Sequence, residues 1–168
     1  GVGKDSVMAG LVAARPALRL VRRTITRAPG LGGEAYDAVT PDAFETAARS
    51  GAFCVHWDAH GLRYGIPSDV LQDTQKGIDC LVNFSRSALL QADAVFDRLV
   101  VLHITAKPEI LAQRLAGRMR ETDSEIAARL AQAGKPLPDG LRVITIANNG
   151  ALEDAVAQAL DALQPARA

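Results

Sequence analysis

The sequence is poor in the features that usually advertise specialised chemistry. Its 168 residues include two cysteines, Cys54 and Cys80, each in an apolar run and neither at metal-ligand spacing. Such sparing use argues against a disulfide framework, zinc and thiol chemistry, and it suits a reducing cytoplasm. Net charge of one sign is also missing, because nineteen Lys and Arg balance nineteen Asp and Glu. No global field therefore draws in a nucleic acid or an anionic membrane, and any anion site must be local. Long apolar runs are absent as well, none approaching the ~20 residues of a spanning helix. Hydrophobic residues at 48% suffice for the core of one compact soluble domain. No repeat or low-complexity tail interrupts it.

The apolar residues Val7, Met8, Leu11 and Val12 recur at helical spacing, so a first helix is expected from Lys4 to about Ala14, closed by Pro16. Leu18 to Ile25 reads as a β-rich run, followed by a loop with Pro29, Gly30, Gly32 and Gly33 that is expected to lie over a site. Pro41 opens a short helix to about Arg49. Strands at Phe53 to Ala59 and Leu62 to Ile66 then meet through His60-Gly61, an antiparallel insert. Alternation resumes with a helix from Pro67, a strand at Ile78 to Val82, a helix at Ser87 to Phe96 and a strand at Leu99 to Ile104. That order implies a parallel sheet flanked by helices. Pro108 opens another helix, and Thr122 with Glu125 makes a capping-box pattern for the next. A strand at Val143 to Ile146 and an amphipathic helix at Ala151 to Leu163 complete the order.

Gly1-Val2-Gly3-Lys4-Asp5-Ser6 runs straight into the first helix, matching the end of a G-x-x-x-x-G-K-[ST] loop. Glycines let backbone N–H groups wrap phosphate oxygens, the helix N-terminus adds partial positive charge, and Lys4 reaches the outer phosphates. A glycine turn beside a solvated lysine would look the same in isolation, so context has to decide. The chain opens inside this loop without Met, and a first strand is expected upstream. The position after the lysine, usually a hydroxyl on Mg²⁺, is Asp5. Asp5 is ranked first as a metal ligand and Ser6 second, since Mg²⁺ accepts one or two carboxylates and keeps several waters.

Fifteen of the nineteen basic residues are arginine. GC-rich coding explains the total, so only placement is informative. Arg22, Arg23 and Arg27 cluster at the end of the Leu18 to Ile25 run and in the loop that follows, with Arg22 and Arg23 on opposite faces by alternation. Arg114, Arg118 and Arg129 flank a turn near Glu121. Either they pair with Glu121 and Glu125, or they belong to a lid, about residues 114 to 133, that closes on transferring phosphates.

In order and spacing these residues resemble the guanylate-kinase-like branch of P-loop kinases over nearly the whole chain. The match includes the glycine loop, Thr26-Arg27, Tyr36, Val39-Thr40-Pro41-Asp42-Ala43-Phe44, Tyr64-Gly65, Arg118, Arg129 and Asn148-Asn149. The implied fold is α/β: one P-loop kinase domain over 1 to 168, with an acceptor-binding insert at about 26 to 66 and a helical lid. The positions that read guanine are changed, however. The family's Glu falls on Val55, the hydroxyl after Tyr-Gly on Ile66, its Asp pair on Asn83 and Ser85, and its second loop Arg on Gly30.

The changed residues are similar instead to the ribose 1,5-bisphosphate phosphokinase family of phosphonate catabolism. The resemblance rests on Val21-Arg22-Arg23, Ile25-Thr26-Arg27, Gly32-Gly33-Glu34, His60-Gly61-Leu62-Arg63-Tyr64-Gly65-Ile66-Pro67, Val82-Asn83, Ser85-Arg86 and Gly3-Lys4-Asp5-Ser6. It implies γ-phosphoryl transfer from ATP, with Mg²⁺, to the 1-phosphate of ribose 1,5-bisphosphate, giving 5-phosphoribosyl 1-diphosphate. Its residue roles would be Lys4, Arg118 and Arg129 in catalysis, and Gly1, Val2, Gly3, Lys4, Asp5, Ser6 and Asn148 around the nucleotide. Arg23, Arg27, Tyr36, Arg63, Tyr64, Asn83 and Arg86 would hold the acceptor. Trp57 is expected to pack, and His56 and His60 have no required role. The substrates are small molecules, with neither nucleic acid nor membrane as partner, and oligomeric state is not legible. The rival readings are a nucleoside monophosphate kinase and a guanylate-kinase-like binding module without catalysis.

Overall fold

In the computed structural model, residues 2–31, 34–116, 127, 131 and 134–164 are described. The elements in chain order are α1 (Lys4–Ala14), β1 (Arg19–Leu20), β2 (Arg23–Ile25), β3 (Tyr36–Ala38), α2 (Pro41–Arg49), β4 (Phe53–Ala59) and β5 (Leu62–Pro67). They continue with α3 (Asp69–Gln75), β6 (Cys80–Leu81), a 3₁₀ turn (Arg86–Ala88), α4 (Leu89–Val95), β7 (Val101–Thr105), α5 (Pro108–Ala116), β8 (Val143–Ala147) and α6 (Leu152–Ala162). The capping-box helix expected from Thr122 falls outside the described residues.

The chain divides into two compact units, one joining Gly1–Ala13 to Val100–Ala168 and the other formed by Ala14–Leu99. In the first, β7 and β8 pair in parallel from Val101↔Val143 to Thr105↔Ala147. Gly10 lets α1 lie close on α6, because a Cβ there would sit 2.5 Å from Val156 Cγ2. Val7, Leu11, Leu115, Ile146, Ala155 and Ala159 are buried in this unit.

The second unit holds a four-stranded mixed sheet in the order β3-β2-β5-β4 and the parallel pair β1·β6. The β4–β5 hairpin is antiparallel and turns at His60 and Gly61, whose φ values of 53° and 71° are the left-handed pair that a two-residue primed turn demands. Thr40 starts α2, its hydroxyl accepting from the Ala43 N–H at 3.2 Å, with Pro41 in the first turn. On one sheet face Val55, Trp57, Tyr64 and Ile66 join Val21, Ile25 and Val70 in the core. Full burial of an aliphatic side chain of this size stabilises by roughly 1.5–3 kcal/mol. On the other face Phe44 stacks on Phe53 at 4.7 Å. Gly65 is needed there, since a Cβ would meet the Phe53 ring at 2.6 Å.

Two expectations change. The run Leu18 to Ile25 is two strands, because the Val21 N–H still donates to Leu81 O whereas Arg23 already pairs with Tyr36, so the chain changes sheets at Arg22. Tyr36–Ala38 is a strand held by parallel pairing with β2, despite Asp37 and Ala38, which local propensity disfavours. The expected parallel pairing is present within each unit, as β7·β8 in the first and β1·β6 in the second.

Candidate functional site: a phosphate loop and an arginine cluster

Gly3 has φ +84°, a backbone state that the loop needs just before Lys4 starts α1. The Val7 N–H donates back to Gly3 O at 3.0 Å, so the first helical turn grows directly out of the loop. Lys4 Nζ lies 2.6 Å from Asp5 Oδ1, and both side chains are open to solvent. Asn148 is buried and its Nδ2 donates to Val2 O at 2.8 Å, while its Oδ1 has no partner. Its backbone N–H donates to Thr105 O, at the end of β7. Arg114 Nη1 donates to Asn148 O at 2.8 Å and Nη2 to Gly150 O, while Asn149 Oδ1 accepts from Lys107 N–H. Arg114 thus ties down the turn that bears on the loop. Gly1, Arg118 and Arg129 lie outside the described residues, as does most of the expected lid beyond Arg114.

A second cluster gathers on the core face of the four-stranded sheet. Arg23 is 6% exposed and donates through Nη2 to Glu34 Oε1. Its guanidinium sits 4.8 Å from the centre of the Tyr64 ring, which itself stacks on Trp57 at 5.3 Å. The other carboxylate oxygen of Glu34 accepts from Asn83 Nδ2 at 3.1 Å. Arg27 lies over the Tyr36 ring at 5.4 Å and makes only long contacts, 3.5 Å to Tyr64 Oη and 3.4 Å to Leu31 O. Tyr36 pins the loop, donating to Ala28 O and accepting from the Leu31 N–H. Trp57 Nε1 donates to Ser85 Oγ at 2.8 Å, and Arg86 opens the 3₁₀ turn immediately after.

Of the seven residues expected around an acceptor, Arg23, Arg27, Tyr36, Tyr64 and Asn83 come together in this cluster. Arg63 does not. Alternation along β5 sends it to the face opposite Tyr64, where it pairs with Glu45 and Asp58 and lies over the Phe44 ring. The Arg63 hydrogen bond holds the Glu45 carboxyl below its ordinary range. Arg22, between β1 and β2, pairs with Asp37. Sequence reasoning did not place Glu34 in the site, although a lone carboxylate in a basic glycine loop was a signal. Val55 and Ile66, where guanine-reading groups would fall, are completely buried in apolar core. Burial pushes the Cys54 and Cys80 thiols up, which suits packing rather than nucleophilic chemistry.

Among the described residues no group of three or more His, Cys, Asp or Glu side chains is arranged to hold a metal ion, and no helix is long and apolar enough to cross a membrane. Mg²⁺ does not need such a group. One carboxylate and one hydroxyl beside phosphate oxygens and water are a donor set it accepts, and Asp5 and Ser6 at the start of α1 provide them.

The fold is that of the guanylate-kinase-like class. The crystal structure of guanylate kinase from Anaplasma phagocytophilum matches with a TM-score of 0.66 at 17% identity, over 95% of this chain and 79% of that one. No protein-family model matches the chain. It is, however, 50% identical over its full length to the ribose 1,5-bisphosphate phosphokinase PhnN of Ruegeria sp. strain TM1040, covering 89% of that protein. The phosphokinase of the same name from Agrobacterium fabrum is 41% identical over 98% of this chain and 91% of its own length. A bifunctional ribose 1,5-bisphosphokinase-thymidine phosphorylase of Cupriavidus necator is 40% identical across 28% of its length. The chain belongs to the ribose 1,5-bisphosphate phosphokinase family.

Proposed function

We infer that this chain transfers the γ-phosphoryl group of ATP to the 1-phosphate of ribose 1,5-bisphosphate, releasing ADP and 5-phosphoribosyl 1-diphosphate. An oxygen of the 1-phosphate forms the new P–O bond as the bond from Pγ to the β-phosphate oxygen breaks. That nucleophile is already ionised near neutral pH, so no general base is needed and His56 and His60 stay outside the chemistry. Catalysis is then positioning and charge stabilisation.

Backbone N–H groups at Gly1, Val2 and Gly3 and the N-terminus of α1 cradle the donor phosphates, and Lys4 leaves Asp5 to meet the outer ones. Asp5 and Ser6 would hold Mg²⁺, which supplies charge neutralisation between donor phosphates when bound. Asn148 acts as a positioning residue through its bond to Val2. Arg27, Tyr36 and Tyr64 bind an acceptor phosphate, Arg23, Asn83 and Arg86 complete that site, and Arg118 and Arg129 spread the charge that develops on the transferring group. The substrates are small molecules, and the expected setting is the cytoplasm, without nucleic-acid or membrane partners.

One observation carries this reading: an arginine and tyrosine cluster borders a core in which Val55 and Ile66 fill the positions that would read guanine. Guanine presents N–H donors that these residues cannot accept, whereas a sugar bisphosphate with about four negative charges needs arginine forks. The test uses ATP labelled in the γ position with ribose 1,5-bisphosphate as sole acceptor. The reading requires label in 5-phosphoribosyl 1-diphosphate, and ATP consumption with no labelled sugar product counts against it.

A further inference from the structure

An acceptor site for a polyanion ought to avoid carboxylates, yet Glu34 stands in the middle of this one. Its two oxygens are shared between Arg23 and Asn83, and its side chain is 22% exposed. Each carboxylate oxygen accepts more than one hydrogen bond, so the group retains acceptor capacity on its open side. Arg23 is already neutralised by Glu34, and its buried Nε has no partner at all. Arg27, by contrast, spends its donors on contacts of 3.4 and 3.5 Å and keeps a fork ready for a stronger acceptor. The cluster is therefore divided in character, with net positive charge at the Arg27, Tyr36 and Tyr64 end and a neutralised, acceptor-rich end at Glu34 and Asn83.

We propose that Glu34 is a specificity-determining residue that accepts hydrogen bonds from a sugar hydroxyl of the acceptor, with Arg27 at the phosphate end. This deepens the proposed function and rests on it. Ribose 1,5-bisphosphate carries free hydroxyls at C2 and C3, the only neutral donors on an otherwise anionic molecule. Arg23 and Asn83 hold the carboxylate in place, and its open side is left to accept from such a donor.

The test compares kcat/KM for ribose 1,5-bisphosphate with those for its 2-deoxy and 3-deoxy analogues, in the wild-type enzyme and in Glu34→Gln and Glu34→Ala. GMP is included as a separate acceptor. Wild type is expected to discriminate against at least one deoxy sugar by roughly 10-fold or more, the worth of one hydrogen bond to a charged acceptor. Glu34→Ala is expected to bring that ratio close to one. Because this variant strands the buried Arg23 charge and can fail to fold, Glu34→Gln serves beside it, keeping the volume while reducing the ratio. A carboxylate that merely holds Arg23 would lower the rates on all three sugars equally and leave the ratio intact, which would overturn the assignment. Equal wild-type rates on ribose and both deoxy sugars would overturn it too. Preferential phosphorylation of GMP would instead overturn the acceptor reading itself, with Glu34 then taking N–H donors of a base.

Discussion

Gly3→Ala tests the phosphate loop with one methyl group. The residue at this position has φ +84°, where an L side chain costs roughly 1–2 kcal/mol. The new Cβ would also lie 2.5 Å from Asn148 Nδ2, so the amide has to move and gives up its 2.8 Å bond to Val2 O. Losing a buried bond of that kind adds about 1 kcal/mol. The total expected destabilisation is about 2–3 kcal/mol, read from urea unfolding at unchanged m-value, and ATP affinity measured by calorimetry should fall by roughly 10-fold or more as the loop amides turn away. The partner variant Asn148→Ala removes both the bond and the obstruction. In the double variant only the backbone strain is new, so the two changes should couple favourably by about 1 kcal/mol rather than add. A Gly3→Ala protein within about 0.5 kcal/mol of wild type, or strict additivity in the double variant, would refute the contact between loop and turn.

Lys4→Ala should abolish phosphoryl transfer while leaving the circular dichroism spectrum unchanged, since Lys4 fills no core position; wild-type kcat would remove the loop from the mechanism. Arg118→Ala and Arg129→Ala should lower kcat more than they raise KM if, as proposed, they act on the transferring group, and a change in thermal stability alone would make the residue concerned a structural ion-pair partner. Arg63→Met should leave kcat/KM within about two-fold, since Arg63 faces away from Arg23 and Tyr64. The same change tests linkage. The Arg63 hydrogen bond lowers the Glu45 pKa in the folded state, so this pair stabilises above the ordinary carboxyl range and its contribution is lost as pH falls through the lowered value. Acid unfolding curves of Arg63→Met should therefore be shallower than those of wild type, and identical slopes would refute the linkage.

Local signals made much of the fold legible. The span of α1 follows from apolar spacing after a glycine loop, α2 from Thr40-Pro41, and the β4–β5 hairpin from two β-rich runs around His60-Gly61, where the sequence states the turn chemistry outright. What eluded it was set by distance along the chain. β3 exists only because β2 pairs with it, and the switch of sheets at Arg22 depends on the bond from Val21 to Leu81, far along the chain in a partner strand. Glu34 matters because Arg23 and Asn83 converge on it, and neither relationship has a local pattern. Arg63 is the opposite case: the resemblance of the His60 to Pro67 segment implied an acceptor role, while period-two alternation already set it against Tyr64. Val55 and Ile66 were read by resemblance as apolar replacements at base-reading positions, and the structure buries both in one apolar core.

The central claim is the choice of acceptor, and a competition in one reaction tests it most directly. The enzyme is given ATP and Mg²⁺ with equal concentrations of GMP and ribose 1,5-bisphosphate, and the products are followed by phosphorus NMR. The account predicts the diphosphate signals of 5-phosphoribosyl 1-diphosphate rising in step with ADP while GMP persists. GDP appearing first would contradict it.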